Sequence, residues 1–102
     1  MKKRVVVTGL GVVTCLGNDI TTFWENLLAG KSGISRITRF DPSNLSVQIA
    51  GEVKNFDPSQ KFDQKLIKRT DLYTQYALYA TVDAVKDADI DFTNMAKDRI
   101  GV

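Results

Sequence analysis

RVVVTGLGVVTCLG, residues 4–17, decides how the chain is read. Residues 4–8 are a β-branched run that ends at Gly9, the pattern of a buried strand. A dinucleotide-binding turn would need G-x-G-x-x-G directly after such a strand, with the helix opening at the last glycine. Gly9 and Gly11 meet the first two places, but Thr14 stands in the third, and the next glycine is Gly17. The acidic residue such a site would need further along falls at Asp41, inside an expected turn. No G-K-[ST] follows for a phosphate loop. The glycines therefore read as a device for bending and close packing, and nucleotide binding is disfavoured.

Cys15, the only cysteine, fares no better as a nucleophile. A reactive thiol wants a helix N-terminus, a cation or an imidazole beside it. Its neighbours here are Val13, Thr14 and Leu16, and the chain has no histidine at all. That absence also removes the commonest general base and zinc ligand. Cys15 reads as a small buried hydrophobe, and no metal or cofactor site is expected. A single cysteine gives no disulfide framework, which points to a reducing, cytoplasmic setting. The net charge of +2 is too small to argue for nucleic acid, and no apolar run is long enough to span a membrane.

Beyond the opening, Thr22 and Glu25 have capping-box spacing. Ile20, Phe23, Trp24, Leu27 and Leu28 form the apolar face of a helix that Gly30 closes. Residues 32–46 read as loop with a turn at Asp41-Pro42-Ser43-Asn44, and Val47, Ile49 and Val53 suggest a second strand. A turn at Asp57-Pro58-Ser59 leads to a short helical turn over 62–67. A longer helix over 70–86 follows, with Tyr73, Ala77, Ala80 and Ala84 along one stripe. Alanines at that spacing allow close approach of another element. Residues 99–102 begin a third apolar run. The β-α-β-α-β order implies an α/β fold with a mainly parallel sheet. So few strands would leave open edges, so the chain reads as the N-terminal part of a larger α/β protein. A small self-sufficient three-layer domain is the alternative.

One charge cluster stands out. Lys61, Lys65, Lys68 and Arg69 are offset only by Asp63. Lys65, Lys68 and Arg69 share one face if the segment is helical. Charge alone leaves two readings open, a solvated helix face or a docking patch for phosphate or an acidic protein surface.

RVVVTGLGVVTCLGND, FWENLLAGKSGI, ITRFDPSNLSVQIAGEV, KRTDLYTQYALYA and the final DRIGV together resemble the N-terminal quarter of a β-ketoacyl-[acyl-carrier-protein] synthase of the elongating type II class. The resemblance covers all 102 residues. It implies the N-terminal part of a thiolase-like five-layer α-β-α-β-α fold, incomplete within residues 1–102, and a homodimer. It implies decarboxylating Claisen condensation of acyl groups with malonyl-acyl carrier protein. The catalytic cysteine and two histidines of that chemistry lie beyond Val102 in the family, so none of the residues here is expected to be catalytic. At Cys15 the family commonly has proline, so this cysteine is not the family's nucleophile. Lys65, Lys68 and Arg69 match positions that contribute to the family's acyl-carrier-protein surface. A non-catalytic partner of the chain-length-factor kind, or a carrier-protein docking module on the same scaffold, is the second reading.

Overall fold

Three helices and one short ribbon make up the regular structure of the computed structural model, which describes residues 1–102. Helix α1 spans Ile20–Leu28, strands β1 (Ser35–Arg36) and β2 (Ile49–Ala50) pair antiparallel, and helices α2 and α3 span Gln64–Arg69 and Leu72–Asp87. Short 3₁₀ turns at Pro58–Gln60, Phe92–Asn94 and Lys97–Arg99 complete the order.

Helix α1 ends as its sequence suggests. Gly30 takes φ +66°, its N–H donates to the Leu27 carbonyl, and the Lys31 N–H donates to Asn26. This is the doubly bonded C-terminal motif that a left-handed glycine permits. The N-terminus corrects the capping-box reading: Asp19, not Thr22, is the cap. The Asp19 carboxylate accepts from the Thr22 N–H at 2.8 Å and from the Thr22 hydroxyl at 2.8 Å. Asp and Thr are both good caps, and the carboxylate three residues earlier claims the helix end. Similarly, Asp63 caps α2 through the Leu66 N–H at 2.8 Å, and α2 therefore starts two residues later than expected.

The expected parallel sheet is absent. Residues 4–13 make no backbone–backbone hydrogen bond, and residues 100–102 take no regular structure. Both stretches have the side chains of a strand, but no other stretch of these residues lies beside them as a ladder partner. The ribbon that does form uses Ser35 and Arg36, which lie inside the segment read as loop, and only Ile49–Ala50 of the expected second strand. It is held on its flanks by side chains. Arg36 donates to Gln48 at 2.5 Å, and the Glu52 carboxylate accepts from the Thr38 hydroxyl at 2.9 Å and from the Thr38 and Arg39 N–H groups.

A seam joins the N-terminal stretch to α3. A Cβ on Gly11 would lie 1.9 Å from the Ala80 carbonyl oxygen, and one on Gly9 would lie 2.2 Å from that of Ala84. Only glycine allows the two backbones this close. On the helix side, Ala80 and Ala84 of the expected stripe and Ala88 just beyond it face the seam, whereas Tyr73 at the head of the stripe is exposed. The Leu10 N–H then donates to the Asp87 carboxylate at 2.9 Å.

Burial is concentrated elsewhere. Tyr79 is the one buried apolar side chain, in an edge-to-face cluster with Phe56, at 5.1 Å between centroids, and Phe62, at 6.4 Å. Tyr76 meets Phe56 at 4.7 Å. Only four of 102 residues are buried, and the radius of gyration is 17.4 Å. A self-contained domain of this length would have a radius near 13 Å. The chain lacks a core of its own, against the self-sufficient alternative.

Candidate functional site

The glycine-rich turn holds no phosphate cradle. Thr14 organises it: its hydroxyl accepts from the Leu16 and Gly17 N–H groups at 3.1 and 3.2 Å and donates to the Gly17 carbonyl at 2.9 Å. The amides an anion would need are thus occupied by a side chain that a third glycine would lack. The nearby N-terminus of α1 carries its own carboxylate, Asp19, which would repel an anion there. Hydrogen bonds from the Thr22 N–H, first, and the Thr22 hydroxyl hold the Asp19 pKa below the usual carboxylate range.

Cys15 is packed, not poised. A Cβ on Gly33 would lie 2.4 Å from its sulfur, and one on Gly51 would lie 3.1 Å away. No hydrogen bond reaches the thiol. The sulfur fills a notch between two glycines, as a small hydrophobe does. Cys15 does border the largest cleft, of about 630 Å³, with Asn18, Asp19, Lys54, Lys61 and Asp83. Most of its charged groups are already committed: Lys61 is ion-paired with Asp83 and stacks over the Tyr79 ring at 4.3 Å, and Asp19 caps α1, which leaves the exposed Lys54 unpaired. No three carboxylates or thiols converge as a metal-binding set.

The basic cluster divides in the structure. Lys61 leaves it for Asp83, while Lys65, Lys68 and Arg69 remain exposed on α2, with no hydrogen bond or ion pair of their own. Asp63 is bound to the backbone at the opposite end of the helix from Lys68 and Arg69, and Asp71, two residues beyond Arg69, is exposed and makes no ion pair with them. Asp63, Lys65, Leu66, Arg69 and Thr70 border a shallow depression beside these cations. The arrangement is a short helix that presents three positive charges without ion pairs, as an acidic partner would need. Two cations earlier in the chain are engaged elsewhere. Arg39 donates to the Tyr76 hydroxyl at 2.7 Å, the main reason its pKa is raised, and Arg36 donates to Gln48.

Gln75 is a residue that patterning missed. It is 5% exposed, on α3, and its side-chain amide donates to the carbonyls of Ile67 and Thr70 at 3.0 Å each. The Thr70 hydroxyl donates to the Leu66 carbonyl at 2.7 Å. The C-terminal end of the basic helix is therefore closed by side chains. The available signal was a polar residue on the inner face of a helix otherwise lined by Ala and Tyr.

Comparison with known proteins places the arrangement in a family. The beta-ketoacyl synthase N-terminal domain matches residues 2–102. The chain is 50% identical over 100 residues to 3-oxoacyl-[acyl-carrier-protein] synthase 2 of Staphylococcus aureus strain N315, covering 98% of this chain and 24% of that protein. It is 46% identical over 101 residues to the enzyme of the same name from Coxiella burnetii, covering 99% of this chain and 24% of that protein. The chain thus spans about a quarter of the length of these curated relatives. Among solved structures, the ishigamide ketosynthase/chain length factor matches with a TM-score of 0.82 and 32% identity, over 94% of this chain and 24% of that one. The α/β fold is accordingly that of the N-terminal part of a thiolase-like ketosynthase, and its strand-like segments are unpaired here for want of ladder partners. By sequence match along its whole length and by fold, the chain belongs to the beta-ketoacyl synthase family, in its N-terminal domain.

Proposed function

We propose that the protein is a 3-oxoacyl-[acyl-carrier-protein] synthase of fatty-acid biosynthesis, in which residues 1–102 form the first part of the N-terminal half. The observation that carries this reading is the 50% identity, across 98% of the chain, to a synthase of that name. The reaction is a decarboxylating Claisen condensation. An acyl group passes from the carrier protein's phosphopantetheine thiol to an enzyme cysteine. Malonyl-carrier protein loses carbon dioxide, and the resulting carbanion attacks the acyl thioester to give the 3-oxoacyl product. Residues 1–102 contribute scaffold and surface to this chemistry and none of its reacting groups. The protein works as a cytoplasmic homodimer with acyl carrier protein as its partner, and no helix here is long and apolar enough to cross a membrane. Release of carbon dioxide and 3-oxoacyl product from purified protein tests the assignment, and its absence with both carrier-protein substrates present overturns it.

Lys65, Lys68 and Arg69 are the carrier-protein contact of this chain. Their support is exposure, the absence of any ion pair to them and placement on one short helix. Reversing Lys68 and Arg69 to glutamate in the synthase raises the KM for acyl-carrier protein about tenfold at low salt, and the gap to the unsubstituted protein narrows as salt screens both. An unchanged KM at low salt sinks the assignment.

A non-catalytic, chain-length-factor-like partner is the second reading, favoured by the name of the solved structure that this fold matches at a TM-score of 0.82. Such a partner shows no condensation alone and restores it only when mixed with a separate synthase.

A further inference from the structure

The side chain of Gln75 is buried and meets the end of the basic helix directly. Its amide has two N–H donors, and both go to backbone carbonyls, Ile67 and Thr70, at 3.0 Å. Open carbonyls at a helix C-terminus attract the nearest cations, and Lys and Arg in a last turn commonly fold back to satisfy them. The last turn of α2 holds such cations, Lys68 and Arg69, and neither folds back. Gln75 has taken the acceptors that would hold them.

We propose that Gln75 is a positioning residue for carrier-protein docking: by occupying the Ile67 and Thr70 carbonyls it fixes α2 on α3 and keeps Lys68 and Arg69 free for the partner. This rests on the docking reading of the basic helix. Gln75→Leu keeps the bulk and removes both donors, and Gln75→Glu keeps the shape but sets a carboxylate against two carbonyls. In either variant the two carbonyls are left open, and Lys68 and Arg69 turn toward them.

The test measures condensation by the complete synthase with acyl-carrier protein and, separately, with a short acyl-pantetheine thioester that has no carrier protein to dock. Gln75→Leu is expected to raise the KM for acyl-carrier protein about fivefold, with a shallower salt dependence, while kcat and turnover of the short thioester hold. Lys68→Glu with Arg69→Glu is run alongside. If that double variant shifts the KM and Gln75→Leu and Gln75→Glu do not, the positioning role is overturned and the docking reading stands. A parallel loss with both substrates also overturns it, because Gln75 is then a structural cap only. No shift in the double variant overturns the docking reading itself.

Discussion

Residues 4–13 and residues 56–79 both carry large apolar side chains and meet opposite fates. Val5 and Val7 are 94% and 80% exposed, whereas Tyr79 is 7% exposed. Full burial of a valine contributes about 1.5–3 kcal/mol, and the N-terminal stretch obtains little of that from these residues. The later stretch finds its partners within a short span: Phe56, Phe62, Tyr76 and Tyr79 meet edge to face, with Lys61 over one ring and Gln60 on the Tyr79 hydroxyl. Burial in a sequence pattern is a demand, and the two regions differ in whether neighbours along the chain can meet it. The seam of Gly9 and Gly11 against Ala80, Ala84 and Ala88 sets the first region against the later part of α3, just beyond the second.

That seam is where the comparison breaks most easily. Gly11→Val puts branched carbon where a Cβ alone would lie 1.9 Å from the Ala80 carbonyl oxygen. Neither neighbour can yield, because both are backbone, so the cost is about 3 kcal/mol or more. Thermal unfolding of the protein should show a large fall in Tm, and a Tm within a degree or two of the original would mean that the seam is not held in solution. A smaller effect is expected inside the aromatic cluster. Tyr79→Ala costs about 3 kcal/mol, at the low end for a buried aromatic because its surroundings are open on one side. Tyr79→Phe costs about 1 kcal/mol, the value of its hydrogen bond to Gln60 at 3.0 Å. If the two substitutions at Tyr79 cost the same, the ring packing contributes nothing, and the cluster is not the local core described.

The parts legible in the sequence are those whose causes lie within a few residues. The Gly30 terminator and the Asp57 and Asp41 turns follow from residues acting on their own backbone. Asp41 accepts from the Ser43 N–H at 3.1 Å, and Asp57 from that of Ser59 at 3.0 Å. The close-packing role of Gly9 and Gly11 was also legible, though not its partner. Strand pairing was not, because a ladder needs a second strand that periodicity cannot supply. Residues 4–8 and 99–102 show this, as does the ribbon at Ser35–Arg36, which carries no β-branched residue. In the basic cluster, spacing put Lys65, Lys68 and Arg69 on one helix. It could not separate Lys61, whose partner Asp83 lies 22 residues away, from the other three. Gln75 escaped for the same reason, since its acceptors lie on another helix.

The least covered helix gives the finest test of local against distant support. Helix α1 leaves Trp24 and Leu28 54% and 70% exposed, so its N-cap has an unusually large share in holding it. The Asp19 carboxylate binds the Thr22 N–H and hydroxyl, which lowers its pKa in the folded protein. A depressed folded pKa means that the charged carboxylate contributes stability above the unfolded value of about 3.9, and that this is lost as pH falls through the lower folded value. Asp19→Ala should therefore cost about 1 kcal/mol near neutral pH, with the difference shrinking below about pH 4. Asp19→Asn keeps an acceptor for the Thr22 N–H, so it should retain most of that stability while losing the pH dependence. Chemical denaturation of the three proteins at neutral pH and near pH 3 separates the outcomes. A cost for Asp19→Ala that stays constant across the range would assign the effect to packing around the side chain. No cost at all would mean that α1 is held by contacts from outside residues 1–102, and the N-terminal region would then differ from the aromatic cluster even at its own helix ends.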